Sequence, residues 1–234
     1  MSAPPINAAV ILLVPVRECD ENVRSLNGIG RLRVASRADQ PRSGYLPVLR
    51  EQVRARLEHA LTLLPNSLGL EIIAAYRSVE LPHRLFANRE RKVRRLNPGL
   101  SEEEVYARTT EFVSDPTVYS PHTTGGAVDV VLIDRQGRPL DLGELRHNSR
   151  AWTDSEAIPP EQRGNRRLLI EAMSGAGFVN YPREWWHWSY GDRYWAYTTG
   201  APHAIYDHIA YAPATHLAAR AARLVKRLLR PRPG

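Results

Sequence analysis

Four ionisable side chains set in two otherwise apolar stretches constrain this chain more than any other feature. The first stretch runs Ser120-Pro121-His122-Thr123-Thr124-Gly125-Gly126-Ala127-Val128-Asp129 and continues into Val130-Val131-Leu132-Ile133; the second is Glu184-Trp185-Trp186-His187. Both read as strands or strand margins. Burying two imidazoles and two carboxylates separately would cost about 1–3 kcal/mol or more for each unpaired group, so such groups usually share a task. A fold that suits this sequence must bring the two stretches together.

A metal ion is the task that fits these residue types. Zinc accepts neutral imidazole nitrogen and carboxylate oxygen in a four-coordinate site, and a catalytic site keeps one position for water. His122, Asp129 and His187 supply three protein ligands. Glu184, three residues before His187, is then the candidate for a base that does not ligate the ion and carries a proton from water to a leaving amine. Gly125 and Gly126 let the chain reverse sharply between His122 and Asp129. At the end of an earlier apolar strand, Tyr76-Arg77-Ser78 offers a permanent cation to stabilise a developing oxyanion. The single cysteine, Cys19, excludes an internal disulfide framework and a thiolate metal site.

Charge excludes a nucleic-acid binder. The formal net charge is +7, but residues 213–234 hold Arg220, Arg223, Lys226, Arg227, Arg230 and Arg232 and no acid, so the rest is nearly neutral. Trp185, Trp186 and Trp188 are expected as core and pocket wall, not as a base-stacking platform. The other histidines, His59, His83, His147, His203, His208 and His216, are assigned to surface or helix positions.

The chain is long enough for one domain with a full core. Ala8–Val16 is apolar and lacks a basic flank before it, so it is expected to be a buried strand, with a cytoplasmic location following from that reading. Residues 27–44 show little periodicity and are expected to be loop or irregular strand. A helix is predicted over 49–64, a strand over 70–76, a charged helix over 80–96, and another beginning at Ser101, whose Ser-x-x-Glu pattern with Glu104 is a capping box. Pro116 and Pro121 should keep the next segment extended. Strands over 126–133, 178–181 and 185–190 and a helix over 159–176 complete the pattern. The mixed order favours a single-domain α+β fold with a largely antiparallel central sheet flanked by helices.

Together, the Ser-x-His-x-x-Gly-x-Ala-x-Asp of 120–129, the Glu-Trp-Trp-His of 184–187 and the Tyr-Arg of 76–77 resemble the VanX-type D-alanyl-D-alanine dipeptidases. These are zinc enzymes of the Hedgehog and D,D-peptidase fold group. The resemblance implies zinc held by His122, Asp129 and His187, Glu184 as general base, Arg77 as transition-state support, and cleavage of a free D,D-dipeptide. It covers the chain to about Tyr197, which suggests a catalytic domain over 1–200 and an extension over 201–234. Tyr76, Ser120 and Trp186 are the expected substrate contacts. The family's Asn-Phe-x-Gly segment is absent, and so is the aspartate that holds the substrate's amino group; Glu144, in Asp141-Leu142-Gly143-Glu144, is the candidate in its place.

Three alternatives stay open on sequence. They are a D,D-carboxypeptidase or endopeptidase acting on peptidoglycan stems, a dipeptidase of secondary metabolism, and a non-catalytic metal-stabilised binding module. Beyond the family core, Leu217, Ala221, Leu224, Val225 and Leu228 make an apolar stripe with arginines opposite. Packing on its own domain or on a second subunit, as in a homo-oligomer, is the favoured reading of this helix. Docking on an anionic membrane is the less favoured one.

Overall fold

A computed structural model describes residues 4–6, 8–35, 45–110, 119–145, 150, 152–154 and 156–209. Its centre is a five-stranded sheet in the order β2-β5-β7-β9-β8. The strands are β2 (Leu32–Val34), β5 (Leu68–Ala74), β7 (Ala127–Asp134), β8 (Val179–Tyr181) and β9 (Glu184–Ser189). Only β2 runs parallel to its neighbour; every other pairing is antiparallel. Two small antiparallel ladders flank it, β1 (Val23–Ser25) with β4 (Val48–Arg50), and β3 (Tyr45–Leu46) with β6 (Tyr76–Arg77). The α+β class with a largely antiparallel central sheet is thus what the chain adopts.

Helix α2 (Glu51–Leu63) buries Val53, Leu57, Ala60 and Leu61, the spacing of one helical face. That face packs with α5 (Pro160–Gly175), which buries Leu169, Ala172 and Met173 in the same core. Fully burying each large aliphatic side chain is worth about 1.5–3 kcal/mol relative to exposure, an upper bound because the unfolded chain is already partly collapsed. Beneath these helices lie Leu70, Ile72, Val128, Val130, Leu132, Trp185 and Trp188.

The charged helix is α3 (Glu80–Leu96), and α4 (Glu102–Thr110) follows it. The capping box forms in both directions: Ser101 N–H donates to Glu104 at 2.8 Å and Glu104 N–H donates to Ser101 Oγ at 3.3 Å.

Two local expectations are corrected. Ala8–Val16 is not a strand. Residues Ala9–Leu12 form the short helix α1, and only Val16 makes an isolated bridge, to Ala204. A short apolar run does not reveal its period, and here only Ile11 is buried, against Tyr181 and Tyr194, while Leu13 is 81% exposed. One-sided burial suits a helical turn. Second, Pro121 does not hold its segment extended but opens a 3-10 turn, Pro121–Thr124, its fixed φ suiting the first helical position. The segment expected as loop or irregular strand contains β2, which joins the sheet edge through Leu32, Arg33 and Val34. A further helix, α6 (Arg193–Thr199), follows β9, capped by Asp192, whose carboxylate accepts from Trp195 N–H at 2.8 Å.

Residues 201–209, past the boundary expected at 200, still pack on the body: Tyr206 is fully buried and Ile209 N–H donates to Thr123 O at 3.0 Å. The basic stripe over 214–230, Pro116, His147 and His216 lie outside the described residues. Among the described residues no helix is long and apolar enough to cross a membrane.

Candidate metal centre

The two stretches singled out by sequence meet on one rung of the sheet. In the β7–β9 ladder Asp129 stands directly opposite His187, and cross-strand partners on one face bring their side chains within about 5 Å. His187 Nδ1 lies 2.9 Å from Asp129 Oδ1. His122, from the 3-10 turn just before β7, approaches from above, its Nε2 3.4 Å from the same oxygen. One donor atom from each of the three lies within 4.8 Å of the others.

Local chemistry explains how the turn delivers His122. Thr123 N–H and Thr124 Oγ1 bond back to Ser120 O and Pro121 O at 3.0 and 2.7 Å. Gly125 then takes φ +72°, a left-handed angle that glycine adopts without strain. At Gly126 a Cβ would sit 2.5 Å from the Tyr190 carbonyl oxygen, so only glycine fits against β9 here. The glycine pair thus both reverses the chain and lets it close on the second ligand strand.

Both rings are fixed by what their other nitrogen touches. His122 Nδ1 is 2.8 Å from Ala75 O, a carbonyl that can only accept; Nδ1 therefore carries the proton and Nε2 faces the cluster with its lone pair. His187 turns Nδ1 to the cluster and Nε2 toward Ser189 Oγ at 3.5 Å. Tetrahedral coordination with bonds near 2.0–2.1 Å needs donors about 3.3 Å apart. The 2.9 and 3.4 Å separations and the nitrogen-nitrogen-oxygen donor set fit a small divalent ion.

Without an ion, the carboxylate and imidazoles compensate one another. Burial pushes Asp129 up, but the neighbouring His122 and His187 outweigh it and hold its carboxyl well below the usual range. Burial pushes His187 down, yet its hydrogen bond and charge attraction to Asp129, with Glu184 and Asp192 adding, raise it above an ordinary imidazole.

Glu184 opens β9, and its charge is felt at His187 and at Tyr45. Arg77 lies across the β3–β6 ladder from Tyr45, its guanidinium carbon 5.7 Å from that ring's centroid. Its buried Nε has no hydrogen-bond partner. Ser120 is half-buried at the head of the turn, and its hydroxyl does not cap it.

The other expected contacts are placed differently. Tyr76 is fully buried, and its hydroxyl donates to Ile209 O. Trp186 packs edge-on against Trp185, with ring centroids 5.5 Å apart, inside the core. Glu144 lines a cavity of about 470 Å³ with Arg150, Ile158, Gln162 and Arg166, and no member of the His-Asp-His cluster borders it.

Sequence reasoning missed several neighbours. Tyr45 packs its ring edge on His122, centroids 5.0 Å apart, and burial first, then the charge of Asp129, pushes its phenol up to about 12. Tyr181 stands edge-on to His187 at 6.2 Å. His208 is exposed, as assigned above, and it also bonds Thr123 Oγ1 in the turn that carries His122. Nothing in the aperiodic segment around Tyr45 marked it.

Several known proteins are similar to this chain. A family model described as D-ala-D-ala dipeptidase matches residues 96–209. A D-alanyl-D-alanine dipeptidase of Synechocystis is 31% identical, the match covering 86% of this chain and 94% of that protein. One from Escherichia coli is 42% identical over 33% of this chain and 41% of its own. Among solved structures, a vancomycin-resistance D,D-pentapeptidase VanY in complex with Zn(II) matches with TM-score 0.38 at 16% identity, covering 77% of this chain and 87% of that one. A VanY in complex with D-alanine-D-alanine gives 0.39 at 16%, covering 82% and 93%. On the extent of the Synechocystis match, this chain belongs to the D-alanyl-D-alanine dipeptidase family.

Proposed function

We propose that this protein is a zinc peptidase that hydrolyses a free D,D-dipeptide such as D-alanyl-D-alanine, with His122, Asp129 and His187 as the zinc ligands. The observation that carries this reading is the convergence of those three donor atoms within 4.8 Å, beside a glutamate whose charge reaches the same imidazole. Membership of the dipeptidase family gives the substrate class.

When bound, zinc supplies Lewis acidity, polarising a peptide carbonyl and making water ionise near neutral pH. The chain's own residues do the rest. Glu184 accepts a proton from the water whose oxygen attacks the peptide carbon, and returns it to the nitrogen as the carbon–nitrogen bond breaks. Arg77, always charged and with a buried N–H in need of an acceptor, faces the negative charge that grows on the carbonyl oxygen. Tyr45 keeps its proton at any physiological pH and is a second donor toward that region. The uncapped hydroxyl of Ser120 is the substrate contact the geometry leaves available. Tyr76, Trp186 and Glu144 have no such part in this proposal. A cytoplasmic site of action, on free dipeptide and not on polymeric wall, belongs to it.

The test is release of D-alanine by the zinc-loaded protein from D-alanyl-D-alanine, from its L,L and mixed isomers, and from a pentapeptide stem. Preference for the free D,D-dipeptide is expected. Activity on the stem alone would replace this reading with a carboxypeptidase, and zinc binding without any hydrolysis would replace it with a binding module.

A further inference from the structure

The Glu184–His187 segment raises a geometric problem that the zinc ligands alone do not solve. In a regular strand Glu184 and His187 would point to opposite faces, because side chains alternate. For a glutamate and a ligand three residues apart to serve one site, the strand must depart from that geometry.

It does so at an arch. In the β8–β9 ladder Asn180 pairs with Trp188, yet the next residue, Tyr181, pairs with Glu184. Trp185, Trp186 and His187 therefore have no counterparts on β8. The β7 ladder ends at the Asp129–His187 rung. An arch interrupts the regular ladder, and its buried carbonyls call for donors from elsewhere.

One side chain supplies the donors. The Asn180 amide nitrogen lies 2.9 Å from His187 O, 3.3 Å from Glu184 O and 3.4 Å from Trp185 O. Two N–H groups are thus shared among three carbonyls. Because carbonyls only accept, the amide must turn its nitrogen to them; its oxygen then accepts from Thr153 Oγ1, and Thr153 N–H also donates to Pro182 O at 2.9 Å across the hairpin turn. Asn180 and Thr153 together fasten both ends of the arch.

We propose that Asn180 is a positioning residue for the reaction: its amide, oriented by Thr153, holds the β9 arch in the shape that sets the Glu184 carboxylate beside the His187 imidazole. The inference rests on Glu184 and His187 being proton carrier and zinc ligand, as argued above. The two ends of the arch differ in their other restraints. His187 is kept in place by its rung to Asp129 on the central strand β7 even if the arch loosens, whereas the rung of Glu184 is to Tyr181 on the edge strand β8, next to Asn180 itself. Loss of the amide should therefore misplace the proton carrier more than the metal.

The experiment compares the parent protein with Asn180→Ala, Asn180→Asp and Thr153→Val. The readouts are kcat and KM for D-alanyl-D-alanine, zinc affinity by chelator competition, and the visible absorption of the cobalt(II)-substituted protein. Asn180→Ala is expected to lower kcat by about 10- to 100-fold, the range found for residues that orient metal-site groups. KM and zinc affinity should stay within about threefold, with cobalt absorption unchanged. Asn180→Asp keeps the shape but loses the donors and should fall at least as far. Thr153→Val should cost about threefold in kcat, and it carries the test alone if neither Asn180 variant folds. The proposal is overturned if the folded variants keep kcat within about twofold of the parent, or if zinc affinity falls in step with kcat. An active parent with unaltered variants defeats this inference alone; a zinc-loaded parent that hydrolyses nothing defeats the functional reading beneath it.

Discussion

The two arms of the metal centre are held by different means. The His122 arm is built locally: a proline opens a turn, two threonines bond back into it, Gly125 takes a left-handed angle and Gly126 admits the Tyr190 carbonyl. The Glu184–His187 arm is built from afar, by the register against Asp129 at one end and by Asn180 and Thr153 at the other. A turn made of backbone preferences is rigid wherever its sequence occurs. An arch pinned by a side-chain amide keeps its shape only while that amide is present, so the metal should tolerate change better than the proton transfer does.

Substitutions at the ligands should give the largest effects and define the metal as common to both arms. His122→Ala is expected to take zinc content from one per chain to near zero and hydrolysis below detection, as measured by elemental analysis alongside D-alanine release. Glu184→Gln should separate the arms: kcat should fall by about 10²–10⁴-fold while zinc stays bound. Equal zinc loss in both variants would remove the distinction between ligand and base.

A smaller effect is expected where the local arm meets the sheet. Gly126→Ala places a methyl 2.5 Å from the Tyr190 carbonyl, and overpacking of this kind costs about 1–3 kcal/mol. Denaturant unfolding should show that loss, and an unchanged midpoint would mean the turn yields more readily than its close contact suggests. Tyr45→Phe keeps the ring against His122 and removes only the phenol. If that hydroxyl donates one neutral hydrogen bond to the substrate, kcat/KM should drop by up to about tenfold, with no change in zinc affinity.

Acidification should weaken zinc binding, with a sign set by the imidazoles. Zinc needs neutral His187, and in the metal-free protein its neighbour Asp129 raises the pH at which that ring protonates. Proton competition should accordingly begin above the ordinary histidine value near 6.5. Affinity should decline as pH falls through that range, by at most about tenfold per unit for each competing proton. Metal titrations between pH 5 and 8 would check this; Asp129→Asn, which removes the carboxylate, cannot report it because it also removes a ligand.

What could be read from the chain divides along the same line. The His-to-Asp turn, its glycines and the Ser101–Glu104 cap depend on neighbours in sequence, and each was legible because local backbone chemistry admits few solutions. So was α2, whose apolar spacing matches the face it buries. The shape of the Glu184–His187 segment was not legible, since it depends on a three-residue slip against β8. Tyr45 enters from a stretch without periodicity, and Ala8–Val16 was misread because burial of Ile11 alone leaves no period to detect. Glu144 was placed in the site by analogy of position, and the fold carries it instead to a separate cavity.

Arg50 links the ligand turn to parts of the chain remote from it. Its fully buried guanidinium bonds Thr124 O at 3.0 Å, Glu21 O at 2.9 Å, Glu18 at 2.9 Å and Asp207 O at 3.3 Å, and it lies over the Tyr206 ring. One cation thereby laces an early segment and a late one onto the loop that carries His122. A protease nick between Ala204 and Ile209, far from the ion in sequence, would slacken that lacing and be felt as leakage of zinc.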